Sequence, residues 1–348
     1  MSEYGGPEVL QLVELPIPQP ADDEVLVRVT RAGLNFADTH KRTNSYLSKD
    51  VLPLVPGIEV AGVREDTGER VVALCGDGGY AEYATAAAAL TFAIPVGVAD
   101  ETALALLVQG LTAWHLLRTS ARLAEGESVV VHAAAGGVGS LAVQLARTFG
   151  AGRVIATASS EEKRSLALEL GADAAVDPNE DDLTAALREA NGDERVDVVL
   201  EMAGGRVFEQ SRRALAPFGR LVAFGIASRE PARVTNVELM QGSQAVVGFW
   251  LVHCLPDQEM TRGPLRELFE MVVRGELRAI VGETYPLSEA WRRAGLLAGG
   301  WSPSTSPRRR RACGSSSTTS STSRARCRSS WPERVTAGGQ GKRPTSWS

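Results

Sequence analysis

At 348 residues the chain is too long for a single ordinary core, and two domains are the natural expectation. It is 44% apolar and 23% charged, a soluble globular composition, and no apolar run approaches the roughly 20 residues a bilayer span needs. The net charge of −5 hides an asymmetry: residues 301–348 hold ten Lys/Arg against one acid, which leaves −14 on residues 1–300.

The N-terminal "MSEYGGPEVLQL" has no basic region followed by an apolar one, so no signal peptide is expected. Cys75, Cys254, Cys313 and Cys327 show no framework spacing, which suits a reducing cytoplasm.

In chain order, "VLQLVEL" from Val9 reads as a short strand, "PIPQP" as a loop, and the alternation in "EVLVRVTRAGL" as a half-buried strand. "VAGV", "ERVVALC" and "GYAEYAT" add strand-like pieces, so residues 1–98 read as a small β-rich unit with glycine turns. Near Asp100 the pattern changes, and "DETALALLVQGLTAWHLLRTS" is helical by spacing. From Ser128 strands and helices alternate: "SVVVHA", "GSLAVQLARTFG", "RVIATA", "EEKRSLALELG", "AAVD", a helix near 181–190, "VDVVLEMA", a helix near 206–215, and "GRLVAFG". "QAVVGFW" makes a sixth strand and "PLRELFEMVVRGEL" (264–277) a further amphipathic helix. Such alternation predicts an α/β fold with a doubly wound parallel sheet. Residues 301–348 contain no Leu, Ile, Phe or Met and 13 Ser, too little apolar surface to offset the entropy of ordering.

The strongest motif is "HAAAGGVGSLAVQLA": a strand runs into Gly136, Gly137, Val138 and Gly139, and a helix follows at once. Glycines let backbone N–H groups approach a ligand, and the helix presents its positive end to an anion. A strand before, a helix after and a second strand about 20 residues on are the context a dinucleotide site requires. At the end of that second strand an NAD site usually carries an acid. Here "ATASSEEK" offers Ser159 and Ser160, then Lys163, which suits the 2′-phosphate of NADPH. Glu161 and Glu162 in the helix first turn fit the dipole and keep NADH as the weaker alternative.

With the glycine loop placed, the chain resembles the medium-chain dehydrogenase/reductase superfamily, in its zinc-free quinone oxidoreductase (zeta-crystallin-like) branch. The matching segments include "GGPEVLQLVELPIPQP", "EVLVRVTRAGLNFADTHKR", "VPGIEVAG", "GGYAEYAT", "LLVQGLTAWHLL", "AAAGGVGSLAVQLA", "SSEEKRSLALELGAD" and "VGFWL", in the family's order from about residue 5 to 297. The resemblance implies a GroES-like catalytic domain over 1–118 with 255–298 returning to it. It implies a Rossmann domain over 119–254 and a cleft between the two that holds the nicotinamide. It also implies a homodimer.

Zinc-dependent relatives place a Cys early in the catalytic domain and a His-Glu pair after a Gly. Here Asn35 and Ile58 stand in those segments, only Cys75 lies in the first 250 residues, and no zinc is expected. Without that Lewis acid, hydride delivery to an already electrophilic acceptor, a quinone or an α,β-unsaturated carbonyl, is the expected chemistry. By resemblance Asn35 and Asp38 line the cleft, although both residue types also bond their own backbone at turns. Tyr46 stands near the Tyr proposed as proton donor in enoyl thioester reductases, and equally fits an amphipathic rim residue. Thr112, Gly225, Phe249 and Leu251 match positions near the nicotinamide end, with Phe249 and Trp250 also fitting core. A lone His132 before the glycine loop reads as structural, and His40 replaces a Tyr that many relatives carry.

The alternatives are an enoyl thioester reductase or a cofactor-binding protein without turnover. The Ser/Arg-rich segment 299–348 reads as a disordered appendage or a reading-frame shift near Gly299. It lacks a nucleic-acid module, so nucleic acid is not an expected partner, and neither is a membrane.

Overall fold

The computed structural model describes residues 1–48 and 50–290. The tail expected over 299–348 and the end of the segment expected to return, 291–298, lie outside the described residues.

The first half is an antiparallel sheet. β1 (Glu24–Ala32) pairs with β2 (Glu59–Arg64) and β4 (Tyr83–Ala87), and β3 (Arg70–Leu74) lies between β2 and β5 (Thr91–Ala93), giving the order β4-β1-β2-β3-β5. The alternation read in "VLVRV" is real: Val25 and Val27 point inward with Val60, Val71, Ala84 and Ala86. The short helix α1 (Phe36–Arg42) fills the long connection between β1 and β2.

The strand expected at "VLQLVEL" does not form. A 3-10 turn covers Pro7–Val9, and irregular chain follows to β1. Leu12, Val13, Leu15 and Ile17 are all more than half exposed, and none of the five strands pairs with this stretch. A strand needs a neighbour for its N–H and C=O groups. Alternating side chains alone do not supply one, and Pro16, Pro18 and Pro20 cannot donate.

A continuous helical rod connects the halves, alternating between α2 (Asp100–Ala105), a π-helical turn (Leu106–Gly110), α3 (Leu111–His115) and a second π-helical turn (Leu116–Ala121). Leu106, Leu107, Leu111, Leu116 and Leu117 are fully buried, so the rod is apolar on most sides and belongs to the core.

The second half is a six-stranded parallel sheet. It contains β6 (Ser128–Val131), β7 (Arg153–Thr157), β8 (Ala174–Val176), β9 (Val196–Glu201), β10 (Leu215–Ala223) and β11 (Ala245–Gly248), in the order β11-β10-β9-β6-β7-β8. This is the doubly wound dinucleotide order, with the reversal between β6 and β9. The helices are α4 (Gly137–Thr148), α5 (Glu161–Glu169), α6 (Leu183–Ala190), α7 (Gly205–Ala214), α8 (Asn236–Gly242) and α9 (Gln258–Val273). β6 shows why both faces are covered: Val129 and Val131 join the core that holds Leu141 and Leu145 of α4, while Val130 joins Leu183, Leu187 and Phe208 on the other side.

α9 begins six residues before the expected Pro264. Asp257 accepts from the Glu259 N–H and starts the helix there, leaving Pro264 inside it. A proline has no N–H for the carbonyl four residues back. That carbonyl, of Met260, meets His115 Nε2 at 2.7 Å instead.

Candidate active site

The phosphate end of the site is built from backbone. After β6 the chain passes Ala133 in a left-handed conformation (φ 49°) and enters α4 at Gly137. No side chain caps this 12-residue helix. The first-turn N–H groups of any α-helix lack intrahelical partners, so they are left for an anion. A Cβ on Gly139 would collide with the Ala133 carbonyl oxygen and come within 2.7 Å of Ala134 Cα. Glycine there lets the helix start directly over the turn. Beneath it, buried His132 bonds Thr157 Oγ1 at 2.8 Å and Ser211 Oγ at 2.7 Å, and burial pushes its pKa down to about 4. It is a neutral strut tying β6 to β7 and α7.

At the end of β7 the two serines divide their roles. Ser160 caps α5 by accepting from the Lys163 N–H at 3.4 Å, while Ser159 is exposed and its hydroxyl makes no bond among the described residues. Arg164 is occupied by Glu161 and Asp177, both at 3.0 Å, whereas the half-buried Lys163 ammonium is in no ion pair among the described residues. Burial holds Lys163 below the usual lysine range. A hydroxyl and a cation therefore stand beside the open end of α4's sheet.

The opposite end is built from side chains. Glu59 is 1% exposed, and its Oε1 accepts from Asn35 Nδ2 at 2.7 Å while Oε2 accepts from the Val108 N–H at 3.1 Å. Asn35 Oδ1 faces Gln109 Nε2 at 3.4 Å. Asp38 Oδ2 accepts from the Asn35 N–H at 2.8 Å and from the Tyr80 hydroxyl at 2.9 Å, and its Oδ1 is buried without a partner. Burial outweighs these bonds and pushes Glu59 up to about 8 and Asp38 up to about 6. Glu59 thus holds its proton more tightly than a free carboxyl, and its partners are an amide and a backbone N–H, with no cation beside it among the described residues. Cys75 donates to the Gly57 carbonyl, and burial raises its thiol to about 12.

Tyr46 sits in the loop after α1. Lys41 braces that loop through Asp50 at 3.2 Å and Asp77 at 2.5 Å. Trp250, just after β11, donates its indole N–H to the Tyr46 hydroxyl oxygen at 3.1 Å, with the rings edge-to-face at 6.1 Å. Phe249 turns the other way, packs on the core and stacks on His115 at 5.9 Å. Leu251 opens the next 3-10 turn, Thr112 lies buried on α3, and Gly225 follows β10 where a Cβ would sit 3.0 Å from Met202. His40 is buried and bonds Ser45 Oγ at 3.0 Å.

Asn35 and Asp38 thus fall in one network, and Gly136 leads into the first turn of α4, formed by Gly137, Val138 and Gly139. Tyr46 makes no bond to Asn35 or Asp38; its partner is Trp250 across the cleft. Three contributors escape the sequence reading. Tyr80 and Gln109 stand in no catalytic motif, and Trp250 fits nicotinamide-end backbone or core equally. The one available signal was Gln109, the only amide in the apolar run "ALALLVQGLTAW".

The family models agree with this geometry. The model described as an alcohol dehydrogenase GroES-like domain matches residues 21–96, and one described as a zinc-binding dehydrogenase matches 137–270. The quinone oxidoreductase of Lama guanicoe is 34% identical over 301 residues, covering 83% of this chain and 89% of its own. The chain belongs to the quinone oxidoreductase family. It is therefore an oxidoreductase of the medium-chain dehydrogenase/reductase superfamily, with the GroES-like and Rossmann halves expected. The quinone oxidoreductase of Escherichia coli, solved complexed with NADPH, matches with a TM-score of 0.80 at 32% identity, covering 86% of this chain and 95% of that one. The quinone oxidoreductase of Thermus thermophilus matches with a TM-score of 0.75 at 40% identity, covering 83% and 93%.

Proposed function

We propose that the protein is an NADPH-dependent, zinc-independent reductase that passes a hydride to a quinone or an α,β-unsaturated carbonyl. The observation that carries this reading is the uncapped α4 N-terminus with a free Ser159 hydroxyl and Lys163 ammonium at the end of the next strand. The residues fit the cofactor: Gly136, Gly137, Val138 and Gly139 would hold the pyrophosphate, and Ser159 and Lys163 the 2′-phosphate. Thr112, Gly225, Phe249 and Leu251 would border the nicotinamide end. Bound NADPH supplies the hydride, and everything else falls to the side chains. Relatives solved with NADPH support the choice of cofactor.

Zinc independence rests on the donor set. Asn35 and Glu59 are committed to each other, Ile58 offers no ligand atom, and the Cys75 thiol stays protonated. We read the chain as dividing near 118 and 254, with 255–298 returning to the catalytic half, and we place it in the cytoplasm. None of the described helices is long and apolar enough to cross a membrane. We read it as a homodimer as well: exposed Phe218, Val237 and Met240 lie on β10 and α8, beside the edge strand β11. A Met240→Asp variant that sediments as the wild type does would remove that surface from consideration.

One observation favours the enoyl thioester reductase reading. Because Trp250 donates to the Tyr46 oxygen, the single phenolic proton is left for another acceptor, and a carbanion developing beside the carbonyl after hydride addition is one. NADPH oxidation assayed with simple quinones, enones and enoyl-CoA separates the readings. Turnover of quinones with no enoyl-CoA activity would discard the second. NADPH binding without any turnover would favour a scaffold. A Tyr46→Phe variant that keeps full enone reduction would remove Tyr46 as the proton donor.

A further inference from the structure

The π-helical turn Leu106–Gly110 touches both ends of the candidate site. A π turn displaces side chains from the ordinary helical spacing and often marks function. Here it turns the Val108 N–H onto Glu59 and sends the Gln109 side chain between the two halves. Gln109 Nε2 reaches Asn35 Oδ1 at 3.4 Å, and the same carboxamide packs on Gly137, the first residue of α4. A Cβ on Gly137 would collide with the Gln109 carboxamide, with its oxygen before its nitrogen. Gly137 is therefore glycine because of Gln109 as much as because of any phosphate.

A carboxamide nitrogen has two N–H donors. The nitrogen faces Asn35, and the carboxamide oxygen is the atom nearest Gly137 in the first turn of α4. Building on the proposed NADPH reading, we propose that Gln109 is a positioning residue that ties the first turn of α4 at Gly137, where the pyrophosphate would sit, to Asn35 at the reacting end. Seating of the phosphates and orientation of the Asn35–Glu59 pair are then coupled through one side chain. The coupling runs through Asn35 alone, because its Nδ2 is already fixed by Glu59 and its Oδ1 is the atom Gln109 holds.

The test uses the full chain and measures NADPH affinity by fluorescence titration, and kcat at saturating NADPH. Gln109→Glu keeps the shape, removes both donors and sets a negative charge beside the pyrophosphate. It is expected to weaken NADPH at least about tenfold, by repulsion between that charge and the pyrophosphate. Gln109→Ala is expected to lower kcat at saturating NADPH as well, about tenfold, because Asn35 loses its second anchor. Gly137→Ala alone is expected to abolish measurable binding, and Gly137→Ala combined with Gln109→Ala to restore it at least in part.

Rescue in the double variant together with the kcat loss supports the bridge. A Gln109→Ala variant with unchanged kcat at saturation overturns it, since a merely packing residue would not couple the two ends. So does a double variant no better than Gly137→Ala. If the wild type itself does not bind NADPH in the same titration, the NADPH reading fails and the bridge fails with it, a result distinct from a wild type that binds while its variants behave alike.

Discussion

The two ends of the candidate site are made of different material. The proposed phosphate end is backbone: helix N–H groups, a left-handed Ala133 and glycines that let chain lie on chain. The proposed reacting end is side chains: Asn35, Asp38, Glu59, Tyr80 and Gln109 bonded in one network, with Asn35, Asp38 and Glu59 buried. A backbone site tolerates changes of pH and salt but no added atom. A side-chain site tolerates isosteres but responds to protonation.

Glu59 gives the largest way to break that contrast. Its folded pKa is raised from 4.5 to about 8, so the folded state holds the proton more tightly than the unfolded one. The stability this contributes is full below about pH 4.5 and is lost as pH rises towards 8; Asp38, raised from 3.8 to about 6, acts in the same direction over a lower window. Glu59→Gln removes the titration but keeps the shape. Below pH 5 the variant should be less stable by about 1 kcal/mol, having lost one acceptor. By pH 8 it should be more stable than wild type by several kcal/mol, at about 1.4 kcal/mol per pH unit of the shift. Chemical denaturation at a series of pH values should show the curves crossing, and parallel curves would show that Glu59 is ionised in the folded protein.

Gly139→Ala probes the other material. The new Cβ meets the Ala133 carbonyl oxygen, and a backbone atom cannot rotate away. Stability should fall by about 1–3 kcal/mol, and NADPH titration should show no saturation, at any pH. A variant with wild-type affinity would mean the turn is softer than its packing indicates. Lys163→Ala should have a smaller effect, weakening NADPH about tenfold while leaving NADH unchanged. Equal loss for both cofactors would move the 2′-phosphate elsewhere. The smallest effect is expected far from either end, in the arm that formed no strand: Leu12→Ser should change the melting free energy by less than about 0.5 kcal/mol.

The same contrast governs what could be read without coordinates. The glycine loop announces itself because its physics is local: strand, turn and helix are contiguous in sequence. The sheet order follows from the alternation of elements and the handedness of their connections. The acid in "VPGIEVAG" could be recognised as needing a protein partner, but not which one. Asn35 lies 24 positions away, and the second anchor, Val108, lies 49 away. The Tyr46–Trp250 bond spans 204 positions and depends on how two halves dock. The false strand at Val9–Leu15 fails for a related reason: alternation describes a strand's faces and says nothing of its neighbour.

The leucine-lined rod sets how the cleft can admit its ligands. Ala61, Val72 and Phe92 of the antiparallel sheet, Leu106, Leu107 and Leu111 of the rod, and Val129 and Leu141 of the dinucleotide half belong to a single apolar cluster. Swinging the halves apart as rigid bodies would wet that seam, at roughly 25 cal/mol for every Å² uncovered. The protein therefore behaves less like a hinged jaw than like a mitten with a fixed palm. The 3.1 Å bond between Tyr46 and Trp250 lies outside that seam, and joins the loop after α1 to the turn after β11 without adding to the palm.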